Sequence, residues 1–404
     1  MKKFQVLMIA LLFVAFAVTA MAQSQSPIHL FNRLRLGYDD NVYQVDDPSS
    51  DGQDPTESMR IIEEIEVLVN WNLERAYLGL RYRPSFIWYS DREDDDTDIL
   101  HDLSVNASYN FSPNLVFSLS DTLRASQMPE LQDENYIVRE DDDNYYNSAV
   151  ATLAYNLKPE TRIDLSGRFI TLTYTDDSPA KDNDNYWSAV GGVSLFQQLA
   201  GHTTLSGDLR YQTLCYNDAP ESVNRDANTI FAGLGIEQTF SPQLIGNLRG
   251  GVQNRQYDDD YYDDNTKPYV DASITFMPTP ATRMTLSGGY AISESDVAAY
   301  LSQDRFNAGL SLAHDFTAKL SFFASGSLAM GQYDADYVLV DDKLAGYGDA
   351  DENTYLFSAR LSYRLNRINW VELGYQFTCL DSEVLGRESY QRNRADIGWK
   401  IQLF

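Results

Sequence analysis

The chain has 404 residues, 43% of them apolar and 13% aromatic, and its 59 acidic against 31 basic side chains give a formal charge of −28. That excess of acid repels phosphate backbones and excludes nucleic acid as a partner. Two cysteines, Cys215 and Cys379, are too few for a disulfide framework.

The first 22 residues, MKKFQVLMIALLFVAFAVTAMA, read as a secretory signal peptide. Lys2 and Lys3 precede an apolar run from Val6 to Ala20, and Ala20, Met21 and Ala22 close it with a small-x-small cleavage pattern. Its removal would take away two lysines and no acid, leaving a formal charge of −30. Beyond it no segment approaches the roughly 18 apolar residues of a spanning helix, which excludes a helical membrane protein. No Pro/Gly/Ser-rich linker divides residues 23–404, so they are read as one domain.

The rest of the chain alternates with period two. The first such run is RLRLGYDDNVYQ, Arg33 to Gln44. In LVFSLSDTLRA, Leu115, Phe117 and Leu119 share one face, while Val116, Ser118, Ser120, Thr122 and Arg124 share the other. In TYLFSARLSYRLN, Tyr355, Phe357, Ala359, Leu361, Tyr363 and Leu365 alternate with Leu356, Ser358, Arg360, Ser362 and Arg364. NLRGGVQNR, TLSGGYA, VELGYQFT and ADIGWKIQL read the same way, as strands with one apolar and one polar face.

Two kinds of connection take turns between these strands. Short ones lie near Asn72, Pro113, Pro159, Gly201, Pro242, Pro278, Ala318 and Arg367, where Pro, Gly and Asn supply the bends. Long acidic ones run from Asp39 to Glu57, Asp91 to Asp98, Gln127 to Asp143, Asp176 to Asp184, Asn217 to Asp226, Asp258 to Thr266, Ser293 to Ser302, Asp334 to Asn353 and Asp381 to Tyr390. Strict alternation puts every short turn at one end of an antiparallel sheet and every long loop at the other. It predicts about 18 strands of about ten to fourteen residues, with both termini at the short-turn end. The repeat of roughly 40 residues also matches a β-propeller blade, but a blade needs four short strands where this repeat holds two long ones.

The apolar face of such a sheet can point either of two ways. A soluble sandwich turns it inward and mixes its loop lengths; a transmembrane β-barrel turns it toward lipid and keeps the polar face in a lumen. Aromatics crowd both strand ends, with Trp71, Phe111, Phe240 and Phe316 beside the short turns and Tyr38, Trp88, Tyr145, Trp187, Tyr257 and Tyr355 toward the long loops. That is the double girdle of a membrane interface. The polar face carries more charge than a dry core tolerates: Arg33, Arg35, Glu64, Glu66, Arg81, Arg83, Arg124, Asp164, Arg168, Asp208, Arg210, Arg249, Arg255, Arg283, Arg360, Arg364, Glu372, Arg394 and Asp396. An all-β, antiparallel up-and-down transmembrane barrel, with short periplasmic turns and long acidic extracellular loops, satisfies every one of these features. Closure leaves no unpaired backbone facing hydrocarbon, and about 18 strands leave room for an aqueous channel.

Several residues invite a sharper chemistry. The runs DREDDDTD and DDDYYDDN hold enough carboxylates for calcium but lack the spacing and glycine of a calcium loop; no metal or cofactor is expected, and diffuse divalent bridging to lipopolysaccharide fits better. Of the four histidines, His202 falls in a short turn and His29 at the barrel's start. His101 and His314 share phase with the lipid-facing Leu103 and Leu312. None stands beside a nucleophile in the lumen, so no Ser-His pair is formed and no catalytic residue is assigned. Cys215 and Cys379 fall on the lipid face eight strands apart, too far for a disulfide. The long loop QMPELQDENYIVREDDD, residues 127–143, is the candidate for folding into the lumen.

The Gly-Tyr-Asp-Asp-Asn-Val run of RLRLGYDDNVYQ after a signal peptide, with the hairpin layout running on to the carboxyl terminus, resembles the outer-membrane barrels of the putative beta-barrel porin 2 family. The resemblance covers the chain after the signal and implies a Gram-negative outer-membrane protein near exopolysaccharide export systems. Its implied partners are outer-membrane lipid and lipopolysaccharide, the barrel-assembly machinery and periplasmic polysaccharide-export components; oligomeric state stays open between monomer and trimer. The carboxyl terminus departs from the usual assembly signature: Ile397, Trp399, Ile401 and Leu403 share a face and Phe404 falls on the other. The expected function is a passive channel for small hydrophilic solutes or saccharides. A non-conducting barrel with a structural or adhesive loop surface is the alternative.

Overall fold

The computed structural model describes residues 27–46, 54–92, 96–126, 131–133, 136–138, 144–174, 185–217, 225–259, 262–295, 297, 300–334, 338–340, 343–345, 348–384 and 387–404. The signal segment and most of residues 127–143 therefore lie outside the described residues. The strands in chain order begin with β1 (Ile28–Asp39), β2 (Ser58–Asn72), β3 (Ala76–Tyr89), β4 (Thr97–Ser112), β5 (Leu115–Ser126), β6 (Leu131–Asp133) and β7 (Tyr136–Val138). Next come β8 (Asn144–Lys158), β9 (Thr161–Tyr174), β10 (Tyr186–Ala200), β11 (Thr203–Tyr216), β12 (Ala227–Ser241), β13 (Leu244–Tyr257), β14 (Asn265–Thr279) and β15 (Thr282–Glu294). The last are β16 (Ser302–Asp315), β17 (Leu320–Asp334), β18 (Val338–Val340), β19 (Lys343–Ala345), β20 (Ala350–Arg364), β21 (Asn369–Ser382) and β22 (Tyr390–Gln402).

Eighteen of these form one antiparallel sheet, and β6–β7 and β18–β19 are small separate hairpins within the long loops. Each long strand pairs with its neighbours in chain order, and β1 pairs with β22 from Phe31 opposite Gln402 to Asp39 opposite Arg394, so the sheet closes on itself. The seam continues to the terminus, where the Leu30 N–H donates to the Phe404 carbonyl at 2.9 Å. No sheet edge is left for hydrocarbon to meet, and the expected barrel is the observed one.

The short turns show why the chain reverses where it does. In five of them two residues join the strands, and a register shift lies in the last residues before the turn, between Asn110 and Ser112, Asn156 and Lys158, Gln198 and Ala200, Thr239 and Ser241, and Phe276 and Thr279. Proline at the first corner in four of these presets φ for the turn, and the bulge supplies the twist that such a turn otherwise lacks. Ser112 and Ser241 accept the N–H two residues on, at 3.2 Å each. The strands run to 12–16 residues, longer than the ten to fourteen expected. A tilted strand crosses lipid in about 9–11 residues, and pairing continues beyond the lipid wherever both neighbours extend.

The apolar face points outward. Leu34, Leu36, Ile61, Leu165, Leu209, Leu234, Leu248, Leu286 and Ile397 are all exposed on the outer wall. Trp71, Phe111, Phe240 and Phe316 ring the short-turn end, and Tyr38, Tyr145 and Tyr355 are exposed toward the loops. Tyr257 departs from the expected girdle. It shares phase with the buried inner residues Gln253 and Arg255 and sets its ring edge-on to Tyr262 at 5.7 Å, because alternation from Val252 carries it inward. Cys215 and Cys379 are free and half-buried.

Candidate functional site: a charged lumen

Every charged residue singled out from the sequence falls in the inward phase of its strand, but they do not form one site. The structure divides them between two walls and a mouth.

The first wall spans β1–β4 and β20–β22. Register places Arg33 opposite Glu64, and cross-strand neighbours on one face stand close enough to interact directly. Arg33 reaches Glu64 at 3.2 Å, Glu66 at 3.8 Å and Glu372 at 3.0 Å. Arg35 also bonds Glu64 and lies 3.7 Å from Asp396. Arg83 bridges Glu64 at 3.9 Å and Asp102 at 2.9 Å, so one carboxylate serves three guanidiniums. Arg81 holds Glu66 at 2.7 Å, and Arg360 lies between Glu372 at 3.4 Å and Asp396 at 3.6 Å. Lys400 joins Glu66 at 3.7 Å with its ammonium 4.3 Å from the Phe31 ring centre. Above this lattice Asp39 accepts a bidentate pair from Arg392 at 2.9 and 2.8 Å, with Arg60 at 3.6 Å.

The second wall, β9–β14, is built differently. Arg210 donates to Asp208 at 3.0 Å and stands against both the Phe231 and Tyr269 rings, at 4.7 and 5.1 Å, which themselves meet edge-on at 5.7 Å. The Tyr269 hydroxyl donates to the same Asp208 at 3.2 Å. Two glycines make this stacking possible: a Cβ on Gly233 would come within 2.0 Å of the Tyr269 oxygen, and one on Gly251 within 2.1 Å of the Ala232 carbonyl. Tyr269 therefore lies flat on a floor without side chains. Arg249 pairs with Asp271 at 2.8 Å, Arg162 with Asp164 at 2.9 Å, and Arg168 donates to Ser148 at 3.2 Å.

Two cavities lie against these walls. One of about 580 Å³ is lined by Arg35, Arg60, Arg83, Arg124, Arg360 and Arg394 against Glu64, Asp102 and Asp396. The other, about 720 Å³, is lined by Arg168, Arg210 and Arg249 against Asp208, Glu237 and Asp271. The first therefore carries an excess of three positive charges and the second none. Arg124 has no ion pair among the described residues, so its guanidinium is available to a solute. Arg283 stands exposed near the short-turn end, and Arg364 folds onto the turn carbonyls of Asn366 and Arg367 at 3.0 and 3.2 Å. Neither lines either of these two cavities.

At the mouth, two loops turn inward. Val42 leaves β1 to pack on the inner residues Ile62, Ile87 and Tyr89. Asn41 pins that loop by donating to the carbonyls of Val45 at 2.7 Å and Gln391 at 3.0 Å. The β15–β16 loop leans across toward β11: Glu294 pairs with Arg255 at 3.2 Å and accepts from Gln212 at 3.0 Å. Arg225, stacked 4.1 Å from the Tyr216 ring centre, donates to the carbonyls of Ser295, Val297 and Tyr300. Tyr300 then meets Tyr333 at 5.2 Å. The inward-folding candidate from the sequence, residues 127–143, lies mostly outside the described residues; the residues seen to cross are Ser293, Glu294, Ser295, Val297 and Tyr300.

Sequence reading passed over Asp39, Arg60, Asp102, Glu237, Asp271, Glu294, Glu352, Arg392 and Lys400. For all but Glu294 the signal was present: Asp39, Arg60, Glu352, Arg392 and Lys400 share strand phase with a residue that was chosen, and Asp102, Glu237 and Asp271 stand in the inward phase of β4, β12 and β14, strands from which none was chosen. Glu294 is out of phase: pairing with β14 ends at Tyr290, and the end of β15, still paired with β16 as far as Glu294 opposite Ser302, turns inward.

The sequence profile of the family described as putative beta-barrel porin 2 matches residues 192–403. No curated protein sequence matches the chain. Among solved structures, OccK2 (OpdF) of Pseudomonas aeruginosa in complex with glucuronate is similar with a TM-score of 0.46 and 12% identity, over 94% of this chain and 98% of that one. OccAB3 of Acinetobacter baumannii is similar with a TM-score of 0.45 and 12% identity, over 94% and 100%. OccK11 (OpdR) of Pseudomonas aeruginosa is similar with a TM-score of 0.43 and 13% identity, over 95% and 100%.

Proposed function

The chain belongs to the putative beta-barrel porin 2 family, and from that premise we propose that it is an outer-membrane channel for passive passage of small hydrophilic solutes or saccharides, acidic ones preferred. The observation that carries the preference is the cavity with three unbalanced positive charges, in which Arg124 has no ion pair among the described residues. Guanidinium groups offer planar paired donors to carboxylates, phosphates and sugar hydroxyls, and a volume of about 580 Å³ suits a saccharide-sized solute. The acidic loops at the mouth repel anions arriving from outside while the basic wall draws them from within. That asymmetry fits release of an acidic polymer or its fragments and a place beside exopolysaccharide export, with lipopolysaccharide and the barrel-assembly machinery as surroundings.

The test is single-channel conductance in a planar bilayer under a salt gradient. The wild type should show a reversal potential on the anion-selective side, and Arg124→Ala should move it toward zero. Reversal potentials that are cation-selective, or unmoved by that substitution, would sink the preference. A non-conducting barrel is the second reading, and the inward loops favour it: Arg225 and Glu294 bind the β15–β16 loop across the mouth. A silent wild type that Glu294→Ala with Arg225→Ala makes conductive would establish it.

A further inference from the structure

The outer wall carries polar pairs where hydrocarbon should meet only apolar groups. Asn32 donates to Glu63 between β1 and β2, and Asn147 donates to Asp121 at 2.9 Å between β8 and β5. Between them, Tyr82 on β3 bonds His101 on β4 at 2.9 Å, their rings stacked 6.1 Å apart. All six residues are in outward phase. Glu63 lies between the outward Ile61 and Ile65, Asp121 between Leu119 and Leu123, and His101 between Ile99 and Leu103.

These groups share one part of the wall. Leu30, Val67, Tyr82, Leu103, Leu123 and Asn147 are successive cross-strand partners, and the other four polar groups lie within two outward positions of that row. Among the described strand residues the remaining carboxylates in outward phase, Glu294, Asp304, Asp334, Asp351 and Asp381, stand at the loop ends, where Glu294 and Asp304 pair with the inward Arg255 and Lys267. Ionisable groups inside the hydrocarbon are expensive and rare, and persist where a partner shields them.

We propose that the outer wall of β1–β8 is an interface with a second copy of this chain, related by a two-fold axis along the membrane normal between β3 and β4. That rotation brings the Asn32–Glu63 pair of one copy against the Asp121–Asn147 pair of the other, with Tyr82 and His101 near the axis. The chemistry is complementary: Asn147 already donates to Asp121 and to the Thr122 carbonyl at 3.3 Å, but the Asn32 amide has a second N–H to donate and Asp121 of the other copy has spare lone pairs to accept it. Six strands at about 4.8 Å and a band about 25 Å tall present about 700 Å² on each copy, and because both walls are convex the part nearest the axis is what the contact buries, at the small end of specific interfaces.

The test uses the full chain in outer membranes and in lipid nanodiscs, with Cys215→Ala and Cys379→Ala removing native thiols. Leu103→Cys, near the axis, should cross-link to itself with a bismaleimide, whereas Leu286→Cys on the far wall should not. The mass in nanodiscs should be that of two copies, falling to one when Asn32 and Glu63 are both replaced by leucine. A wild-type mass of one copy, with lipid alone against the patch, would overturn the proposal. So would a three-copy mass, or cross-linking at position 286 in place of 103.

Discussion

The two lumen walls reach the same end, arginines kept in place, by opposite means. On β1–β4 and β20–β22 the guanidiniums share carboxylates in a lattice: Glu64 alone serves Arg33, Arg35 and Arg83. On β9–β14 Arg210 has one acid and two aromatic faces, spread over glycine. A lattice that shares acids needs fewer of them than bases, so it leaves positive charge over; one-to-one pairing leaves none. Stability and selectivity are thereby coupled on the first wall and separable on the second.

The largest effect should come from breaking the shared acid. Glu64→Ala leaves three closely spaced guanidiniums without their common acceptor and should cost about 3 kcal/mol, as loss of one partner from a buried pair does; urea unfolding in lipid vesicles measures it. On the second wall, Gly233→Val drives a side chain into Tyr269 and should cost about 1–3 kcal/mol through overpacking. Tyr269→Ala in the same chain should restore most of it, because the obstruction is that ring. Asp271→Asn frees Arg249 and gives the neutral cavity one net positive charge; stability should change by about 1 kcal/mol or less while the reversal potential moves further to the anion side. An unchanged potential would show that the second cavity lies off the conduction path.

The smallest expected effect is at the mouth. Burial, reinforced by Asp258 and opposed by the Tyr216 N–H and Arg225, raises the Asp226 carboxyl above its ordinary range. A carboxyl raised in the folded state favours folding while protonated, so its contribution is full below the unfolded value and is lost as pH rises through the raised one. Asp226→Asn should flatten that slope in thermal melts followed from acid to neutral pH.

Much of the lumen was legible because a period of two leaves no freedom: once Leu115, Phe117 and Leu119 face lipid, Arg124 must face in. The same rule would have added Asp102 beside Arg83 and Asp271 beside Arg249, had every inward acid been followed through its strand. Tyr257 shows how the reading strays, since an aromatic near a strand end suggests a girdle until its phase is counted from Val252. Glu294 was beyond reach, for no local pattern says that the end of a hairpin will part from the neighbouring strand and turn inward.

By itself the sequence determined the barrel, its strand number, the placement of short turns and long loops, and the inward phase of the charges. Those follow from alternation and turn chemistry, which act between residues close in the chain. Only the tertiary structure decided which charges meet, which wall keeps an excess, which loops cross the mouth, and that three polar pairs share one stretch of the outer wall. These depend on register between strands and on closure of β1 against β22, which bring together residues as distant as Asp39 and Arg392.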